Sequence, residues 1–227
     1  MGCAQLLHYS LGLSRASSGA RTCTQAAFRP YTDTMKSVAA QNQSRTTRTR
    51  AATVTVAYIA VAVALNVVCA WLTVPAVIPF TMQTFAVFFA LCFLGGAGGT
   101  AVIAVYLAMG LVGLPVFSGF RGGVVALMGP TGGYLVGFLA SALLYWLGAA
   151  LLRDKAHSLL VQAVLCALGL LVCYLLGTVW FIYVYHAVDG WAKALTLCVV
   201  PYVLPDACKI ALAVLVAKAV RRATHRP

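Results

Sequence analysis

The chain has 227 residues, 62% of them hydrophobic and only 9% charged, with a mean hydropathy of +0.93. Soluble globular domains carry about a quarter charged residues, so that class is excluded. The formal net charge of +12 gathers at the two ends and in one short loop, without the basic patch interleaved with aromatics that marks a nucleic-acid partner.

Residues 1–50 form a compositional zone of their own, rich in Arg, Ser and Thr, with Asp33 as the sole acid. No apolar core of a secretory signal is present. Leu6 stands where a myristoylation motif after Gly2 needs Ser or Thr. Two readings stay open for this zone. The preferred one is a basic, disordered arm that belongs to an upstream start, with Met35-Lys36 as a compact alternative beginning. The other is an acid-poor organellar transit peptide.

No charged residue occurs in residues 51–120. One bilayer crossing takes ~20 apolar residues, so this run holds about three crossings. Span one is expected at 53–74, followed by a short turn punctuated by Pro75 and Pro79. Span two is expected at 80–94 and ends at Gly95-Gly96-Ala97-Gly98-Gly99. Span three follows at 100–114, span four at 130–152 and span five at 159–185. Span six is less regular, because Pro201 and Pro205 interrupt it. Its clean helical run is expected to begin at Pro205, which suits a first helical position.

These spans predict an all-α membrane protein with six transmembrane helices in one domain, residues 51–222, ending in a tail at 223–227. The alternation of an outer-membrane barrel is absent. An even number of spans puts both termini on one side. Arg45, Arg48, Arg50, Arg153, Lys155, Lys218, Arg221, Arg222 and Arg226 collect on that side, against Arg121 and Lys193 on the other. The positive-inside rule then places both termini in the cytoplasm. The expected location is the cell (inner) membrane, or an organellar membrane if residues 1–50 are a transit peptide.

Between spans three and four, residues 113–134 hold seven glycines, two prolines and the lone Arg121. Non-helical backbone at membrane depth is tolerated only where protein buries it or where it lines a cavity. Glycine lets backbone approach a ligand, and arginine offers its fork of donors to an anion. A flexible loop whose arginine lies among headgroups fits equally well.

Asp206 and Lys209 are three residues apart on one helical face. Ionisable groups at membrane depth face a cavity or each other, so a ligand site and a structural ion pair both stay open. Asp206 is also the relay that a proton-coupled secondary transporter would use, although no inverted repeat is visible.

Nothing indicates an enzyme, and no catalytic residue is assigned. His8, His157, His186 and His225 fall in the leader, near span ends or in the tail. HExxH, GxSxG and the P-loop are missing, as are paired glutamates. The eight cysteines form no CxxC pair and read as small hydrophobes, so neither a metal nor a cofactor is expected. On span one, Ala57, Ala60 and Ala64 make a small-residue stripe that permits close approach of another helix.

Taken together, these residues resemble the BioY proteins, the biotin-binding S components of energy-coupling-factor (ECF) vitamin importers. The resemblance covers residues 53–222. It rests on Pro79-Phe80-Thr81-Met82-Gln83-Thr84-Phe85, Gly113-Leu114-Pro115-Val116-Phe117, Arg121-Gly122-Gly123, Gly129-Pro130-Thr131-Gly132-Gly133-Tyr134 and Asp206-xx-Lys209. It implies biotin uptake through a vitamin site near the outer face, capped by the loop between spans one and two. It implies that Arg121, Asp206 and Lys209 bind biotin, with Thr81, Gln83, Gly123 and Tyr134 as further contacts in the shared motifs. Ala60 and Ala64 would face a transmembrane coupling subunit, which works with two ATPase subunits supplied in trans. The chemistry agrees: a carboxylate accepts from ureido N–H groups, and an arginine pairs with the carboxylate tail. Another vitamin is the alternative substrate.

Overall fold

The structure, a computed structural model, describes residues 38–39, 41–43, 45–46, 49–50, 52–74, 79–152, 158–183 and 190–224. The chain divides into two compact units, Met1–Val54 and Thr55–Pro227. In the first, the described residues are helical and exposed. Thr46 and Thr49 there turn their hydroxyls back onto the carbonyls of Asn42 and Arg45, each at 2.9 Å. The arm and transit-peptide readings of residues 1–50 fall mostly outside the described residues, as do all four histidines.

The second unit contains most of helix α1 (Ala52–Trp71). A short antiparallel hairpin follows, β1 (Thr73–Val74) pairing with β2 (Phe80–Thr81) in the register Thr73↔Thr81 and Val74↔Phe80. Then come α2 (Gln83–Leu111), a single turn α3 (Val124–Leu127), α4 (Gly132–Leu152), α5 (Leu159–Tyr183), α6 (Trp191–Cys198) and α7 (Val200–Thr224).

Helix α2 is broken where the sequence places the glycine cluster. It runs as two helical segments that meet at a kink in the glycine cluster, as the sequence predicts, with Gly95 leaving helical geometry at φ 79° and ψ 177°. That conformation is essentially open only to glycine. Gly96, next to it, serves packing instead: a Cβ there would lie 2.6 Å from the Cα of Trp146 on α4. The cluster is therefore a bend plus a helix contact.

By length and apolarity, α1, α2, α4 and α5 are each able to cross a membrane, and α6 with α7, meeting at 42°, makes a fifth candidate. The expected count of six is not reached this way, because neither side of Gly95 extends to the ~20 residues of a full crossing. Pro205 also differs from expectation. Helix α7 begins at Val200, which puts Pro201 in its first turn and Pro205 inside the helix. The break falls earlier, at Val199, with φ −121° and ψ −57°.

The interior is centred on α2, whose Val87, Phe88, Leu91, Val102, Ile103 and Tyr106 are almost completely buried. Cys92 on α2 and Cys166 on α5 meet there with sulfurs 3.5 Å apart. Lipid tails are as apolar as these side chains, so close packing, rather than exclusion from water, holds such helices together. Along the α4–α5 seam, Ser141 donates to the Gly169 carbonyl at 2.6 Å.

Candidate functional site

A cavity opens where the hairpin, the glycine-rich segment and helices α2, α4, α5, α6 and α7 converge. Its walls are aromatic, with Phe80, Phe117, Tyr134, Phe138, Tyr174 and Tyr202 among the lining side chains. Its charged groups are Asp206 and Lys209, whose side chains are each 7% exposed.

The two charges are bound into a tight network. Lys209 Nζ donates to Asp206 Oδ1 at 2.8 Å and to the Thr81 carbonyl at 2.7 Å. It also lies 3.7 Å from the centre of the Phe80 ring, whose face attracts a cation. Tyr174 donates its hydroxyl to Asp206 Oδ2 at 2.6 Å. Every oxygen of the carboxylate thus has a donor, while lone pairs remain for a ligand, since an ionised carboxylate offers about four acceptor sites. Because helix geometry sets residues three apart side by side, α7 presents both charges to the cavity in one turn.

The hairpin and the glycine-rich segment are tied together beside this network. Thr73 donates its hydroxyl to the Ala70 carbonyl at 2.6 Å, so the 3.0 Å contact between Thr73 and Ser118 is made by the Ser118 hydroxyl donating. Trp71 donates its indole N–H to the Pro115 carbonyl at 2.9 Å and stacks on Phe120, with ring centres 4.9 Å apart.

Of the residues singled out by sequence, Thr81, Gln83, Tyr134, Asp206 and Lys209 line the cavity. Thr81 Oγ1 accepts from the Gln83 backbone N–H at 3.4 Å, and Tyr134 donates to the Cys198 carbonyl at 3.4 Å. Arg121 and Gly123 lie outside the lining. Arg121 is exposed, and its carbonyl accepts from the Phe117 N–H at 2.9 Å, closing a tight turn. Gly123 pins the same segment to α2 by donating to the Gly110 carbonyl at 2.7 Å. Ala57, Ala60 and Ala64 are exposed along α1, whereas Ala62, Val63, Asn66 and Val67 face inward.

Sequence reasoning missed Tyr174, Tyr202 and Ser118. A tyrosine inside the aliphatic run of span five was the available signal for Tyr174, because a buried phenol needs a partner for its hydroxyl. Among the described residues, no group of three or more His, Cys, Asp or Glu side chains is placed to hold a metal ion.

Comparison with known proteins gives a consistent result. The model of the BioY family matches residues 38–226. The chain is 39% identical over 155 residues to "Biotin transporter BioY" of Thermotoga maritima, covering 68% of this chain and 88% of that protein. It is 38% identical over 157 residues to "Probable biotin transporter BioY" of Pyrococcus horikoshii, covering 69% and 89%. The fold matches a crystal structure described as the S-component for biotin from an ECF-type ABC transporter, with a TM-score of 0.69. That match has 23% identity and covers 76% of this chain and 93% of the other.

Proposed function

The chain belongs to the BioY family, and we propose that it is a biotin transporter: the substrate-binding component of an ECF-type importer, not an enzyme. It is a multi-pass membrane protein. The observation that carries the reading is the aromatic-walled cavity with the buried Asp206–Lys209 pair in its lining. Aromatic faces suit the fused rings of biotin, and the carboxylate suits its ureido N–H groups. The charge-assisted bonds so formed are about twice as strong as neutral ones.

The geometry supports the following roles. Asp206 accepts from the ureido nitrogens, and Tyr174 and Lys209 hold its carboxylate in place. Lys209 also fastens β2 through the Thr81 carbonyl, and Tyr134 forms part of the wall. Arg121 belongs to the exposed turn just beyond the lining residues Phe117 and Ser118. From there it meets the carboxylate tail at the mouth, and Gly123 sets the shape of that turn. The membrane core comprises six segments when α2 is divided at Gly95, and both termini face the cytoplasm of a cell whose inner membrane holds the protein. Transport couples to a transmembrane subunit and two ATPases supplied in trans. The exposed stripe of Ala60 and Ala64 is the surface for that subunit.

The test is direct. The protein purified in detergent carries biotin detectable by mass spectrometry, and after biotin is removed it rebinds biotin in a calorimetric titration. A purified, folded protein that neither carries nor rebinds biotin overturns the reading.

A further inference from the structure

We infer that Gln83 is the specificity-determining donor of the cavity: its side-chain amide donates to the ureido carbonyl oxygen of biotin. This inference rests on the biotin reading above and assigns one polar group of the ligand to one residue.

Other donors around the cavity are already engaged. The ammonium of Lys209 is held by Asp206 and Thr81 and capped by the Phe80 ring. The hydroxyls of Tyr174, Tyr134 and Ser118 donate to Asp206, Cys198 and Thr73. Gln83 differs from these. It lines the cavity and is 4% exposed, yet its Nε2 makes no hydrogen bond of good geometry among the described residues. Tyr106 lies beside it and gives its hydroxyl hydrogen to the Val116 carbonyl at 3.0 Å, so toward Gln83 it can act only as an acceptor, and the amide nitrogen carries two N–H donors, one of which stays available to a ligand.

A buried amide nitrogen left unpaired is costly, and native proteins rarely retain one without a reason. Its placement supplies that reason. Gln83 opens α2 immediately after β2, and Gln83, Thr81 and Asp206 all line one cavity. The ureido group is a planar unit with N–H donors on either side of one carbonyl. Asp206 accepts and cannot donate, so it takes an N–H edge. The carbonyl oxygen needs a donor, and the Gln83 amide provides one.

Two variants test this in the full-length protein freed of biotin. The probes are biotin and its guanidine analogue, in which the ureido C=O is replaced by a protonated C=NH. Gln83→Leu removes the donor and is expected to weaken biotin about 5- to 100-fold. Its unliganded melting temperature should be unchanged or raised, because no hydrogen bond of good geometry is lost in the empty protein. Gln83→Glu offers acceptors in place of a donor. It is expected to shift the ratio of affinities toward the guanidinium probe by at least about tenfold, since charge-assisted pairing then favours the cation. Unaltered biotin affinity in Gln83→Leu overturns the assignment, as does equal weakening of both probes in Gln83→Glu. A fall in the unliganded melting temperature of Gln83→Leu also overturns it, by showing a structural bond instead. Wild-type protein that fails to bind biotin refutes the functional reading itself, which is a separate result.

Discussion

Replacing Asp206 by Asn removes the negative member of a buried pair while keeping nearly the same shape. Lys209 is then left as an ammonium with 7% side-chain exposure and no counter-charge at 2.8 Å. Breaking a buried pair from one side costs about 3–5 kcal/mol, because the remaining charge is uncompensated. The single variant therefore should melt well below the wild type in detergent. Its biotin affinity should fall as well, since a charged hydrogen bond is worth about 1.5–3 kcal/mol, or roughly a ten- to hundredfold loss. These two effects are separated by neutralising both partners. In Asp206→Asn with Lys209→Gln no buried charge is left over, the Tyr174 hydroxyl keeps an acceptor, and an amide can still reach the Thr81 carbonyl. Melting temperature should recover substantially, whereas biotin affinity should stay low. Melting curves and titration calorimetry on the wild type, the two single variants and the double variant complete the cycle. Full recovery of biotin binding in the double variant refutes the ligand role of the pair and leaves it a packing device. An unchanged melting temperature in Asp206→Asn refutes the claim that the pair is buried and coupled.

Tyr174→Phe removes the hydroxyl 2.6 Å from Asp206 Oδ2 and should lower biotin affinity about tenfold with the fold retained; wild-type affinity by calorimetry would count against it. Ala60→Phe and Ala64→Phe place bulk on an exposed stripe. They should leave biotin binding by the isolated protein intact while abolishing co-purification with the coupling subunit; lost binding would show the stripe to be internal packing. Gly95→Ala meets open space, so its cost is backbone strain alone, about 1–3 kcal/mol. Gly96→Ala must push the Trp146 backbone aside and should lower the melting temperature further than Gly95→Ala does.

Asp206 and Lys209 were legible because ionisable residues stand out in an apolar run, and helical spacing already puts them side by side. Whether they pair with each other or await a ligand was not legible. That depends on Tyr174 and the Thr81 carbonyl, which arrive from other parts of the chain. A tyrosine in a membrane helix looks like any aromatic until its hydroxyl finds a partner. Arg121 shows the converse: a lone arginine among glycines advertises chemistry, yet the turn closed by its own carbonyl puts it on the exposed side, beyond the cavity lining. The glycine cluster after Leu94 marked the break correctly, and only the choice of Gly95 among its glycines could not be read from composition. Pro201 and Pro205 each suit a first helical turn, and only the position of Val199 decides between them.

The hairpin formed by β1 and β2 has two residues in each strand, far too few to persist alone in water. Its shape is imposed from outside, through Ser118 on one flank and Lys209 and Tyr202 on the other. The segment is consequently not a transferable part: spliced into another host with its sequence intact, it would have no reason to keep this geometry. Within its own chain the reverse holds. A substitution some 40 residues away, at Ser118, acts on the hairpin as directly as one within it. Sequence variation among homologues at these distant positions should therefore travel together, as the parts of one roof.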